Sequence, residues 1–187
     1  MEDFDVLKLK KLIAIIAISI IGLVSLTGCY NFYNDWHGAG ADIESTNVFK
    51  AITLDEAKKK IENKDTFVVV CATSSNSSAV KVIENFCNTA TYFNFTGTTY
   101  FINKTEYLSL TSKRNELKAG LNINGRDSTL SSETDVIVVC YTQGKVTIDT
   151  TAKLTDSSLR AFVNDVSNPT SINYNSLISY IYKDFEY

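Results

Sequence analysis

Phe67–Phe86 reads FVVVCATSSNSSAVKVIENF, and the reading of this stretch decides the fold. Together with Thr66, its first part is the β-branched run TFVVVCA, which suits a central strand buried on both faces. A polar loop of serines, a threonine and an asparagine follows. Then Ala79, Ile83, Phe86, Cys87 and Ala90 recur at helical spacing. Ser77 or Ser78 is placed to cap the first turn, since a serine oxygen accepts from an orphan amide there. A buried strand that passes through a polar loop into a helix is half of a βαβ unit. In small α/β proteins that junction often carries the chemistry, yet here it offers hydroxyls and one amide.

Upstream, NVFKAI from Asn47 is a short strand. TLDE at Thr53–Glu56 matches a capping box, in which the Thr53 hydroxyl and the Glu56 carboxylate each satisfy the other's backbone amide. Leu54, Ala57 and Ile61 share one face of the helix that follows. Downstream, TTYFINKTEY (98–107) is a second strand and SKRNELKAGLNI (112–123) a helix. DVIVVCYTQGKVTI (135–148) reads as two antiparallel strands turning at Gln143-Gly144. TDSSLRAFVNDV (155–166) is a helix capped by Thr155 and ended by Asn168-Pro169, and the tail from Ile172 is one more helix. The fold class is α/β.

This order of elements, from about Asn47 to Ser167, resembles the thioredoxin fold. The resemblance implies a three-layer sandwich, with a mixed central sheet flanked by helices and a C-terminal helical tail added. Thioredoxin-like oxidoreductases carry a C-x-x-C pair between the central strand and the next helix. The helix N-terminus stabilises one thiolate, and the second cysteine closes the disulfide. In register, that motif falls on Ser75, Asn76, Ser77 and Ser78. Hydroxyls form no redox couple at these positions. The family's cis-proline, which precedes a hairpin strand, falls on Val136, or on Asp135 with a loop shift of one. The only proline is Pro169. Both landmarks are replaced, which implies a redox-inactive domain with no catalytic residue, cofactor or metal. ITLDEAKKKIENKDTFVVV (52–70) is also similar to the start of thioredoxin-like accessory proteins of bacteriocin export, which keep the cysteine motif.

The N-terminus speaks about location. Lys8, Lys10 and Lys11 precede the uncharged run LIAIIAISIIGLVSL (12–26), and small residues follow. This is the pattern of a secretory signal peptide, and 15 residues fall short of the roughly 20 that span a bilayer. Leu26-Thr27-Gly28-Cys29 resembles the bacterial lipobox, whose cysteine is acylated. The expected organisation is a signal peptide over 1–28, a flexible tether over 29–46 and the folded domain over 47–187. The chain is then lipid-anchored through Cys29 on the extracytoplasmic face of a bacterial membrane. An uncleaved N-terminal anchor is the alternative.

A net charge of −3 offers no clustered basic face for nucleic acid. One histidine, His37, is too few for a His-based catalytic set. Cys71, Cys87 and Cys140 remain besides Cys29. Packing as small hydrophobes is the expectation for them, with a disulfide as the alternative. The functional expectation is a binding or accessory role with an unknown protein partner in the cell envelope or in secretion. Two alternatives stay open: a thiol enzyme using the non-motif cysteines, or a small-ligand or anion site at the serine loop.

Overall fold

The computed structural model describes residues 31–123, 130–132, 136–151 and 172–185. The sequence readings for 1–30, for most of the 124–135 loop and for the helix over 155–166 lie outside the described residues.

A five-stranded mixed sheet forms the centre. In chain order its strands are β1 (Phe49–Ala51), β2 (Phe67–Ala72), β3 (Thr99–Asn103), β4 (Ile137–Thr142) and β5 (Lys145–Asp149), and in space they lie β1-β3-β2-β4-β5. β1, β3 and β2 run parallel, while β4 is antiparallel to β2 and β5 antiparallel to β4. β2 takes the middle place, and all six of its residues are buried, as the unbroken TFVVVCA run demands.

The α-helices are α1 (Phe32–Gly38), α2 (Leu54–Glu62), α3 (Ser77–Tyr92), α4 (Thr111–Gly120) and α5 (Ile172–Lys183), and a short 3-10 helix at Thr105–Tyr107 follows β3. Thr53 caps α2 through the full capping box, with the Glu56 amide donating to the Thr53 hydroxyl at 3.2 Å and the Thr53 amide donating to Glu56 at 2.7 Å. On α3 the cap is Asn76 rather than a serine. Its side-chain oxygen accepts from the Ser78 amide at 2.8 Å, so Ser77 is the first helical residue. Asparagine and serine cap equally well, and sequence preference alone does not separate neighbours that can both do it.

Alternation along β2 divides the core. Phe67, Val69 and Cys71 face Leu54 and Ala57 of α2 and Leu117 of α4, together with Ile102, Ile137 and Val139 of the flanking strands. The opposite face is aromatic. Phe101 of β3 meets Phe32 and Trp36 of α1 at ring separations of 4.9 and 5.7 Å. Phe49 packs on Phe86 of α3, and Phe86 on Tyr182 of α5. α2 and α3 lie on opposite faces, as right-handed crossovers between parallel strands require when the chain moves one way from β1 to β2 and back from β2 to β3; α4, which leads to antiparallel β4, shares the α2 face.

The hairpin turn is Gln143-Gly144, both with positive φ (52° and 72°), as a type I′ turn requires. The Gly144 amide donates to the Asp65 carbonyl at 2.9 Å, and a side chain at 144 would run into the Ile61 carbonyl. The turn is thereby tied to the end of α2.

One expectation is corrected. The segment 29–46 is not a flexible tether throughout, because Phe32–Gly38 is helical and Phe32, Trp36, Ala41 and Ile43 are buried. Trp36 is fully buried, at 0% exposure. Residues from Phe32 onward belong to one compact unit, so that unit begins well before Asn47. Two aromatics four residues apart carry the docking. A seven-residue helix is too short for that spacing to stand out as periodicity.

Candidate functional site

β2 and β3 lie side by side and parallel, and their following connections leave on opposite faces, through α3 and α4. The carboxyl ends of two such strands are where open α/β sheets place ligands. Thr73 to Asn76 follow β2 there, and Lys104 and Thr105 follow β3.

Thr73 is buried, and its hydroxyl lies 2.9 Å from the Thr105 hydroxyl and 3.1 Å from that of Ser75. The Thr105 amide donates to Asn103 Oδ1 at 2.9 Å. Ser74 Oγ donates to Asp35 Oδ2 of α1 at 2.8 Å, so the N-terminal helix borders this end of the sheet. Ser75 and Ser77 are exposed, while Asn76 and Ser78 are half-buried. The Ser75–Ser78 positions therefore do stand at the strand-to-helix junction, as an exposed and hydroxyl-bearing first turn.

Val136 precedes β4 directly. Ile137 is paired with Cys71, so Val136 stands beside the end of β2 and the start of the serine loop. Val136 is buried, and no cis peptide bond occurs among the described residues. The structure thus brings Val136 and the serine loop to the same end of the sheet.

Beneath the loop, on the α2 and α4 face, lie polar groups that no motif announces. Lys104 is fully buried, and its Nζ donates to the Ser132 carbonyl at 2.6 Å. Asp149 is buried with its Oδ1 accepting from the Thr151 amide (2.8 Å) and hydroxyl (2.6 Å). Cys71 feels both. Burial pushes its thiol up to about 12, with the Lys104 charge pulling down and the Asp149 charge pushing up. Burial likewise drives Cys87 up to about 12 and raises Cys140. The three are free cysteines. Protonated, buried thiols pack as small hydrophobes and are poor nucleophiles.

Chemically, then, the loop has hydroxyls bonded to one another, a carboxylate on Ser74 and no thiol. His37 is exposed and packs against Tyr33, with ring centroids 5.1 Å apart and the rings tilted by 34°. Among the described residues, no group of three His, Cys, Asp or Glu side chains is placed to hold a metal. Sequence reasoning missed Asp35, which sits in what reads as a spacer, and Lys104, which ends an apolar strand. For Asp35 the one signal was its place beside Trp36 in a potential helical turn; for Lys104 there was none.

No family model matches the chain, and no curated protein matches it either. No described helix is long and apolar enough to cross a membrane; the Leu12–Leu26 run lies outside the described residues.

Proposed function

We propose that this is a lipid-anchored, extracytoplasmic protein whose thioredoxin-like domain is redox-silent and acts by binding, as an accessory of the bacterial envelope or of secretion. The carrying observation is at the end of β2. The position that a thioredoxin-like domain gives to its thiol pair holds Ser75-Asn76-Ser77-Ser78, with Asn76 spent on capping α3. The described cysteines are buried elsewhere. Support for the thioredoxin-like arrangement comes from the mixed sheet with β2 at its centre, the alternating helices and the closing hairpin. Support for the anchor is the lipobox-like Leu26-Thr27-Gly28-Cys29 after a basic and apolar leader.

The test of silence is an insulin-reduction assay on the full chain and on Cys71→Ser, Cys87→Ser and Cys140→Ser. No turnover above background is expected from any of them. Turnover that vanishes with one substitution overturns the reading in favour of a thiol enzyme. Membrane fractionation of the wild type and of Cys29→Ala tests the anchor, with loss from the membrane expected for the variant.

A further inference from the structure

We propose that the aromatic face under α1 is a docking surface for a short helix of a partner protein, and that α1 is its built-in occupant, which the partner displaces. This goes beyond the reading above and requires neither the lipid anchor nor the loss of redox activity.

What the surface fits is shown by what lies on it. Phe49, Phe86 and Phe101 form its floor, with Phe49 5.7 Å from Phe86 and 6.1 Å from Phe101. α1 sets two rings on that floor from positions one turn apart. Phe32 meets Phe49 at 4.7 Å and Phe101 at 4.9 Å, and Trp36 meets Phe101 edge-on at 5.7 Å. Asp35, just before the second ring, accepts from Ser74 Oγ at 2.8 Å. The partner is thereby defined as an amphipathic helical segment that reads aromatic-x-x-acid-aromatic. Seated there, it also takes over Ser74, which ties this surface to the Thr73–Asn76 loop.

Several features make α1 a removable occupant rather than a fixed part of the core. A helix of seven residues does not persist alone, so α1 is helical only while docked. Among the described residues, the backbone hydrogen bonds that close this arm stay inside it, from the Ala39 amide to Asp35, Gly40 to His37 and Ala41 to Trp36. Across to α3 and its loop it is joined by side chains, through the Ser74–Asp35 bond and through Glu84 Oε1, which accepts from the Asp42 amide at 2.8 Å. The arm leads into β1 through 44–46, all exposed, so it can swing out with every strand pairing intact. Phe49 on Phe86 and Phe86 on Tyr182 are contacts that do not involve it. Trp36 Nε1 is buried with no hydrogen-bond partner among the described residues. A ring that lacks this donor, or a segment that brings an acceptor to it, fits the face better than α1 does.

The probe is a fluorescein-labelled peptide of residues 31–43, NFYNDWHGAGADI, which carries the pattern itself. It is titrated against the full wild-type chain and against Trp36→Ala, whose own arm is weakened. The tethered arm competes at high effective concentration, so binding to Trp36→Ala should be about tenfold tighter or more than to the wild type. The same peptide with alanine for its tryptophan should bind neither chain. A second peptide, which keeps only the two aromatics and the acid on an alanine-rich background, should bind Trp36→Ala as well; its failure overturns the partner pattern. Equal affinity of the first peptide for the two chains, or no binding to a Trp36→Ala chain that retains its far-UV circular dichroism, overturns the docking surface. Native-state hydrogen exchange on the wild type needs no variant. The Ala39, Gly40 and Ala41 amides should exchange about a hundredfold faster than those of β2, through an opening of the arm alone. Equal protection means that α1 leaves only when the whole domain unfolds, and that overturns the proposal too. A wild-type dimer that forms with concentration and is suppressed by the peptide marks exchange of arms between two copies, and overturns the separate partner.

Discussion

Trp36→Ala is the sharpest probe of where the domain begins. Trp36 is fully buried, edge-on to Phe101 at 5.7 Å and 5.9 Å from Phe32. Removing a buried tryptophan ordinarily costs about 3–5 kcal/mol, through lost transfer energy and the cavity left behind. Part of that is offset here, because Trp36 Nε1 is buried with no hydrogen-bond partner among the described residues, and an unmet donor carries a penalty of about 1–3 kcal/mol. The expected net loss is about 2–4 kcal/mol, a fall in Tm of roughly 5–15 °C for a domain of this size. Trp36→Phe separates the two contributions. It keeps an aromatic ring and deletes the orphan donor, so its cost should stay below about 1.5 kcal/mol. Urea unfolding followed by far-UV circular dichroism reads both variants. Trp36 is also the only tryptophan, so its emission reports its own surroundings, blue-shifted when folded and red-shifted on unfolding. Native emission at the wavelength of solvated tryptophan, with Trp36→Ala inside about 0.5 kcal/mol of wild type, would refute the docking of α1 and restore the tether.

Alkaline pH should weaken the fold. An exposed thiol in the unfolded chain ionises near 9, whereas burial pushes Cys71 and Cys87 up to about 12. The unfolded chain therefore releases these protons first, and stability held below about pH 9 drains away towards 12, by at most about 1.4 kcal/mol per pH unit per thiol. Buried Tyr107 and Tyr141, both raised, act in the same direction. A urea midpoint that stays flat from about pH 9 to 11 contradicts this. Thr53→Ala should cost about 1 kcal/mol by removing one side of the capping box, while Thr53→Ser should recover most of it. Gly144→Ala should destabilise by more than 1 kcal/mol or so, since it meets both a positive φ and the Ile61 carbonyl; a neutral result in chemical denaturation would mean that the hairpin is not seated on α2.

How much of this was legible beforehand follows the range of the forces involved. β2 was plain because a strand buried on both faces must be apolar throughout. The capping box of α2 and the Gln143-Gly144 turn were plain because both are local chemistry written within four residues. α1 was not, since its stability comes from two rings reaching Phe49 and Phe101, which no window on Phe32–Gly38 contains. Lys104 was hidden for the same reason. Its burial is tolerated through a carbonyl 28 residues away, and a lysine after an apolar strand ordinarily signals the return to solvent. The position of the serine loop could be counted from β2, but its neighbour Asp35 depends on how α1 docks.

The Lys104–Ser132 hydrogen bond joins parts of the chain that lie 28 residues apart. A buried ammonium holds the main chain at Ser132, and it can do so only once the residues that bury Lys104 have come together. The contact therefore acts late in assembly: it fastens a distant segment to a sheet already formed, and contributes little while the chain between them is still open.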